Sequence, residues 1–345
     1  MGKETTMRSI TLAIGALIAG TAAASSAETY PSMNLRLAHS VPPTTAQSKI
    51  EQWWADEINK RSGGKIKIQI LWAESGGKST EIIELVGSGA IELGATPASY
   101  YPSELPLNGV TTSLPMIFRD NAEAARVQDG LIADVPAMRE EQKKNGVWSL
   151  YWNSLGPYRV LCKMPITALA DLKGKRMRSY GAYVPHMWKA LDAVGEVVLT
   201  NEVYESLDRG RLDCTYFSYQ LIVDLKQYEV AKQLSTANFG ALSTWPVWVN
   251  YDLWHKKWPE SVKKLFTEVS AEAAARSVKA IAQAEEEALA FLQKNGVQVV
   301  EFKNQNELNA RVPDMRAFWL EQMKARGLGA PAQQVFDYWV AKSPK

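Results

Sequence analysis

The chain holds few side chains able to do covalent chemistry. His39, His186 and His255 are its three histidines. No two stand at metal-ligand spacing, no HExxH occurs, and no nucleophile motif accompanies them. Gly77-Lys78-Ser79 ends like a phosphate loop, but Trp72 occupies the place of that loop's first glycine. Gly87-Ser88-Gly89 lacks the later glycine that a dinucleotide fingerprint or a nucleophile elbow requires. These residues predict no enzyme, no metal site and no cofactor. Cys162 and Cys214 are too few for a disulfide scaffold. An exported chain permits a bridge between them, and two buried free thiols are the other reading.

The elements that must position any site begin after a leader. Lys3 and Arg8 precede an apolar stretch from Ile10 to Ala24, and Ser25-Ser26-Ala27 supplies small residues for cleavage, the pattern of a secretory signal peptide over 1–27. No cysteine follows the apolar stretch, so a lipoprotein tether is not expected. The whole chain of 345 residues carries 39 basic against 37 acidic side chains. That balance argues against a nucleic-acid partner, whose phosphates demand a clustered basic excess. No internal apolar run is long enough to span a bilayer.

Strand and helix patterns alternate from residue 34 onward. Ile66, Ile68, Ile70 and Trp72 alternate with polar residues as a strand does, after a helix carrying Ile50, Trp53, Trp54 and Ile58 that stops at Gly63-Gly64. Thr80–Gly87 reads as a helix and 91–96 as a strand. The second half repeats this order, with strands at 147–153, 158–163, 175–179, 197–199, 212–216, 233–236 and 244–250, and helices at 183–192 and 202–210. This is an α/β arrangement, in which ligands sit at the carboxyl ends of strands. From Pro259 to Gln293 no further Gly or Pro interrupts a helical pattern. Such a helix would be roughly 50 Å long, more than one domain's width, and so would lie along both domains. No Pro/Gly linker separates two beads, and several chain crossings are expected between the domains.

The most informative stretch is 171–228. It contains Asp171-Leu172-Lys173-Gly174-Lys175-Arg176-Met177-Arg178, then Glu202-Val203-Tyr204-Glu205-Ser206-Leu207, then Arg209-Gly210-Arg211-Leu212-Asp213. In order and spacing these segments resemble the signatures "DLKGxKxR", "EVYxAL" and "RGxxDG" of the DctP-type solute-binding proteins of tripartite ATP-independent periplasmic (TRAP) transporters. The resemblance extends over essentially the whole chain after the leader. It implies a two-lobed type II periplasmic binding protein, with lobe I at 28–155 and 243–282 and lobe II at 156–242 and 283–345. It further implies a receptor that closes over a small organic anion and delivers it to a small and a large membrane subunit; with the leader cleaved near Ala27, a periplasmic monomer is expected. Arg178 takes the place of the family's carboxylate clamp. A guanidinium suits that role because it is planar, always charged and pairs bidentately with a carboxylate.

Departures from the family pattern bear on the ligand. Many members carry a second arginine about eight residues before an Ile; eight before Ile166 stands Tyr158, with Arg159 one place later. Neighbours on a strand face opposite ways, so either a bulge keeps Arg159 in the cleft or Tyr158 replaces it. Two cleft arginines would favour a dicarboxylate, one a monocarboxylate. Cys214 replaces a glycine, and Phe217, within Tyr216-Phe217-Ser218-Tyr219, stands where sialic-acid binders have Asn. With twelve Trp and thirteen Tyr in the chain, several at expected cleft loops (Tyr100, Trp152, Trp245), the site reads as aromatic. The expected ligand is a monocarboxylate with an apolar or aromatic body, bound by Arg178, Arg159 or Tyr158, Tyr100, Trp152, Tyr216, Phe217, Tyr219 and Trp245. The alternatives are a dicarboxylate, hydroxy acid or sugar acid, or a two-lobed receptor serving another system.

Overall fold

The computed structural model describes residues 1–2 and 29–343, so apart from its first two positions the leader expected over 1–27 lies outside the described residues. In chain order the strands are β1 (Met33–His39), β2 (Ile66–Leu71), β3 (Leu93–Ala95), β4 (Val147–Leu155), β5 (Arg159–Cys162), β6 (Arg176–Ser179), β7 (Val194–Val197), β8 (Cys214–Phe217), β9 (Gln233–Ser235), β10 (Leu242–Asn250) and β11 (Gln298–Val300). They form two sheets, ordered β2-β1-β3-β10-β4 and β11-β9-β5-β8-β6-β7. Each sheet is mixed. β1 runs parallel to β2 and β3, while β10 is antiparallel to β3 and β4. In the second sheet β5 is antiparallel to β8 and β9, and β6 is parallel to β7 and β8. The two reversed strands, β5 and β10, are the ones that enter a sheet directly from the other lobe.

Local chemistry explains the elements. Thr45 caps helix Ala46–Arg61 by accepting the Ser48 amide, and Gly63 and Gly64, both at positive φ, end it. Leu37 and Ala38 of β1 point to opposite faces and enter different cores, one around Trp54, Val249 and Phe266, the other running through the crossings into the second sheet. The strand expected at 197–199 lies instead at Val194–Val197, paired with β6 from Arg176↔Val194. There Gly195 allows the close approach of Pro185 and Trp188. Cys162 and Cys214 face each other across β5 and β8 and are joined by a disulfide.

Helix Glu260–Lys294 spans 35 residues, about 52 Å at 1.5 Å per residue. Its Val262, Phe266 and Val269 pack in the core around Trp54, and its Leu292 packs in the other core, so one helix serves both lobes. The chain also crosses between Leu155 and Arg159 and between Ser235 and Leu242. These two segments pair with each other, Tyr158 N donating to Gly240 O (2.8 Å) and Phe239 N to Tyr158 O (3.0 Å). The tail, expected with lobe II, returns to the first sheet's lobe. Helix Gly329–Lys342 packs on helices Asn121–Asp134 and Pro136–Lys144, Trp339 stacks on Phe118 (5.2 Å), and the Ser343 hydroxyl donates to Glu123 (2.6 Å).

Candidate functional site

Arg176 and Arg178 lie two apart on β6 and so share a face. Position along the strand separates their fates. At the start of the strand Arg176 is exposed and pairs with Asp213, Nη2 to Oδ1 at 2.6 Å. At its carboxyl end Arg178 is 2% exposed. Its Nε donates to Val198 O (3.3 Å), its Nη1 to Tyr216 O (3.1 Å) and its Nη2 to the Thr200 hydroxyl (3.3 Å). The guanidinium is sandwiched between Phe217 and Tyr180, 4.0 and 4.6 Å from the ring centroids. A guanidinium has five N–H groups, so each terminal nitrogen keeps one beyond these three bonds, and the Tyr158 hydroxyl also lies within reach of the group. Among the described residues no carboxylate pairs with Arg178; neutral acceptors alone hold it. A buried cation in that condition is unfavourable until an anion joins it.

Arg178 lines a cavity between the lobes. Tyr180, Thr200, Phe217 and Leu221 come from the second lobe, Val41, Pro97, Ser99, Tyr100 and Thr112 from the first, and Leu155, Tyr158, Leu242, Ser243 and Trp245 from the crossings and β10. The lobes stand close: the space measures about 30 Å³. Several bonds bridge them around it. The Tyr100 and Thr200 hydroxyls lie 2.9 Å apart, Asn201 Nδ2 donates to Ser40 O (2.8 Å), and Ala46 N donates to Asp224 Oδ2 (2.9 Å). Burial pushes the hydroxyls of Tyr158, Tyr180 and Tyr216 up, against the pull of the Arg178 charge, so they remain neutral.

Of the residues singled out in the sequence, Arg178, Tyr158, Tyr100, Phe217 and Trp245 meet at this cavity. Four others do not. Arg159, one place after Tyr158, turns away, donating to the Tyr219 hydroxyl (3.2 Å), Tyr158 O (3.0 Å) and Asn238 Oδ1 (2.6 Å). Tyr219 is held in that same contact, 5.3 Å beneath the guanidinium. Tyr216 lies a layer behind, packed on Tyr158 (4.7 Å) and Trp188 (5.2 Å). Trp152 packs edge-on against Trp248 (5.6 Å) inside the first lobe. Sequence reading missed Tyr180, Thr200 and Ser243. Tyr180 was open to it, since it lies two beyond Arg178 on the same alternation. The Ser243 hydroxyl is buried without a partner among the described residues, and nothing local announces it.

Known proteins agree with this architecture. The family model of the bacterial extracellular solute-binding proteins, family 7 (DctP), matches residues 37–324. A solute-binding protein of Verminephrobacter eiseniae (strain EF01-2) is 30% identical over 186 residues, which are 53% of this chain and 54% of that one. That match therefore spans about half the length of each. The 2,3-diketo-L-gulonate-binding periplasmic protein YiaO of Escherichia coli (strain K12) is 24% identical over 295 residues, 85% of this chain and 88% of its own. The crystal structure of DctP7, a Bordetella pertussis extracytoplasmic solute receptor binding pyroglutamic acid, shares the fold with a TM-score of 0.78 at 24% identity, covering 89% of this chain and 99% of that one. Among the described residues no helix is long and apolar enough to cross a membrane. With the two-lobed fold, the long shared helix and a family match over most of its length, the chain belongs to the DctP family, the extracellular solute-binding proteins of TRAP transporters.

Proposed function

We propose that this protein is the periplasmic receptor of a TRAP transporter, cleaved near Ala27 and monomeric, that captures a monocarboxylate with an apolar or aromatic body. Closure of the lobes over the ligand precedes its delivery to a small and a large membrane subunit. One observation carries the reading: among the described residues Arg178 is a buried cation held by neutral acceptors, with no carboxylate beside it and one N–H on each terminal nitrogen beyond those bonds. That arrangement suits bidentate capture of one carboxylate. Tyr158, not a second arginine, shares the cavity with it, and Val41, Pro97, Leu155, Leu242 and Trp245 offer apolar surface for the rest of the ligand. Because both lobes contribute, bound ligand favours the closed state, and the membrane partner must favour the open one for release.

A sugar or hydroxy acid is the second reading. The Thr200, Ser243 and Tyr158 hydroxyls line the same cavity and suit ligand hydroxyls. Calorimetry of mature, ligand-stripped protein against aromatic monocarboxylates, C4-dicarboxylates, sugar acids and sulfonates separates the readings. The expected result is tight binding of an aromatic acid, with Arg178→Ala costing about 2–5 kcal/mol. Preference for sugar acids or dicarboxylates would overturn the aromatic reading and keep the receptor. Equal binding to the variant would overturn the role of Arg178.

A further inference from the structure

Behind the first-lobe wall of the cavity lies a carboxylate that no cation neutralises. Glu51 and His39 are both 0% exposed. Val41 donates its amide N–H to His39 Nδ1 (3.1 Å). The imidazole proton therefore sits on Nε2, the atom bonded to Glu51 Oε2. Oε1 accepts from Trp245 Nε1 (2.6 Å) and Asn153 Nδ2 (3.0 Å). Every one of these partners is a donor, the pattern of an ionised carboxylate, and among the described residues no Lys or Arg pairs with Glu51. The Glu51 charge adds to burial in raising the Tyr151 hydroxyl. Ser277 of the long helix braces Asn153 (2.9 Å), and His39 packs on Trp72 (4.5 Å), so the carboxylate is fixed from several elements at once.

Trp245 is both cavity wall and donor to Glu51. Its N–H is engaged, so the indole offers the ligand an apolar surface. A fixed negative charge stands one indole behind that surface, on the lobe that does not carry Arg178. We infer that Glu51, acting through Trp245, is a specificity-determining positioning residue that makes the first-lobe wall accept an uncharged ligand body and reject a second carboxylate. The inference rests on the proposal that Arg178 holds the ligand's carboxylate. A second carboxylate at the far end would then meet the like charge of Glu51. At ~8 Å and an effective dielectric of ~20 this repulsion corresponds to a loss of about thirtyfold in affinity.

The test compares terephthalate with its monoamide, and glutarate with glutaramate, by calorimetry on the mature protein, on Glu51→Gln and on Arg178→Ala. Glutamine keeps an acceptor for Trp245 but drops the charge. Wild type should bind each monoamide at least about tenfold tighter than its diacid, and the gap should fall below about threefold in Glu51→Gln. A wild type that takes no monoamide, or takes the diacid as tightly, overturns the inference whether or not the variant folds. An unchanged gap in a folded variant overturns it too. Amide NMR gives a readout independent of ligand: the Trp245 indole N–H, assigned through Trp245→Phe, should move upfield in Glu51→Gln, and an unmoved signal refutes the bond. Acid binding indifferent to Arg178→Ala overturns the proposed function itself. Arg178-dependent binding without a Glu51-dependent gap overturns this inference alone.

Discussion

A single step along a strand separates two neighbours that look interchangeable in the sequence. Tyr158 lines the cavity, while the Arg159 guanidinium is occupied by the Tyr219 hydroxyl, a backbone carbonyl and Asn238. Arg159→Ala should therefore leave acid affinity within about threefold, since a charge outside the cavity acts only through a screened field. A loss approaching that of Arg178→Ala, measured in the same titration, would place Arg159 in contact with ligand after all. Arg176 and Arg178 teach the same lesson along one face: each guanidinium is fully charged, and only the one at the strand's carboxyl end has been withdrawn from water without a carboxylate. Residue type announces the chemistry, and the surroundings decide whether it is used.

Elements differ in how openly the sequence declares them. The period-two run Ile66, Ile68, Ile70 and the long stretch without Gly or Pro after Pro259 were legible because one repeat dominates each. Helix Asn121–Asp134 went unread although it carries its own start signal, Asp120 accepting the Glu123 amide. The C-terminal helices Met315–Ala325 and Gly329–Lys342 went unread as well. The sequence does not decide the disulfide, because bridging needs two strands in register; β5 and β8 put Cys162 directly opposite Cys214. The bridge closes a loop with a sequence separation of 52. Replacing both cysteines by alanine should lower unfolding free energy by about 2–4 kcal/mol in denaturant titration. An unchanged midpoint would mean that the paired strands hold this loop without the bond.

At the scale of the whole molecule some of the bonds that join the lobes lie outside the cavity's lining. Ala46, the first residue of helix Ala46–Arg61, donates its amide to Asp224 of the other lobe (2.9 Å), placing an anion at the positive end of a helix dipole. Burial raises the Asp224 carboxyl, and the bonds from Ala46 and Gln220 pull it back. Such a contact exists only when the lobes meet. Asp224→Ala should speed ligand release about fivefold, the equivalent of roughly 1 kcal/mol at a helix N-terminus, with the association rate little changed. Stopped-flow dissociation checks this, and an unaltered release rate would show that the contact does not hold the closed state.

What the sequence by itself determined is whatever repeats or recurs locally: the alternation of strands and helices, the long helix, the ordered motifs from Asp171 to Asp213, and Arg178 among them. What only the tertiary structure decided is whatever depends on segments distant in sequence meeting. Glu51 follows Gln47 on the buried face of an amphipathic helix and looks like any polar position. It becomes a buried charge behind the cavity only because Asn153 and Trp245, 102 and 194 residues away, arrive to donate to it. Ser243, Thr200 and the tail's return to the first lobe belong to the same class. Periodicity is a property of neighbours, whereas desolvation and field are properties of everything packed around a group, so the first is written along the chain and the second exists only in the fold.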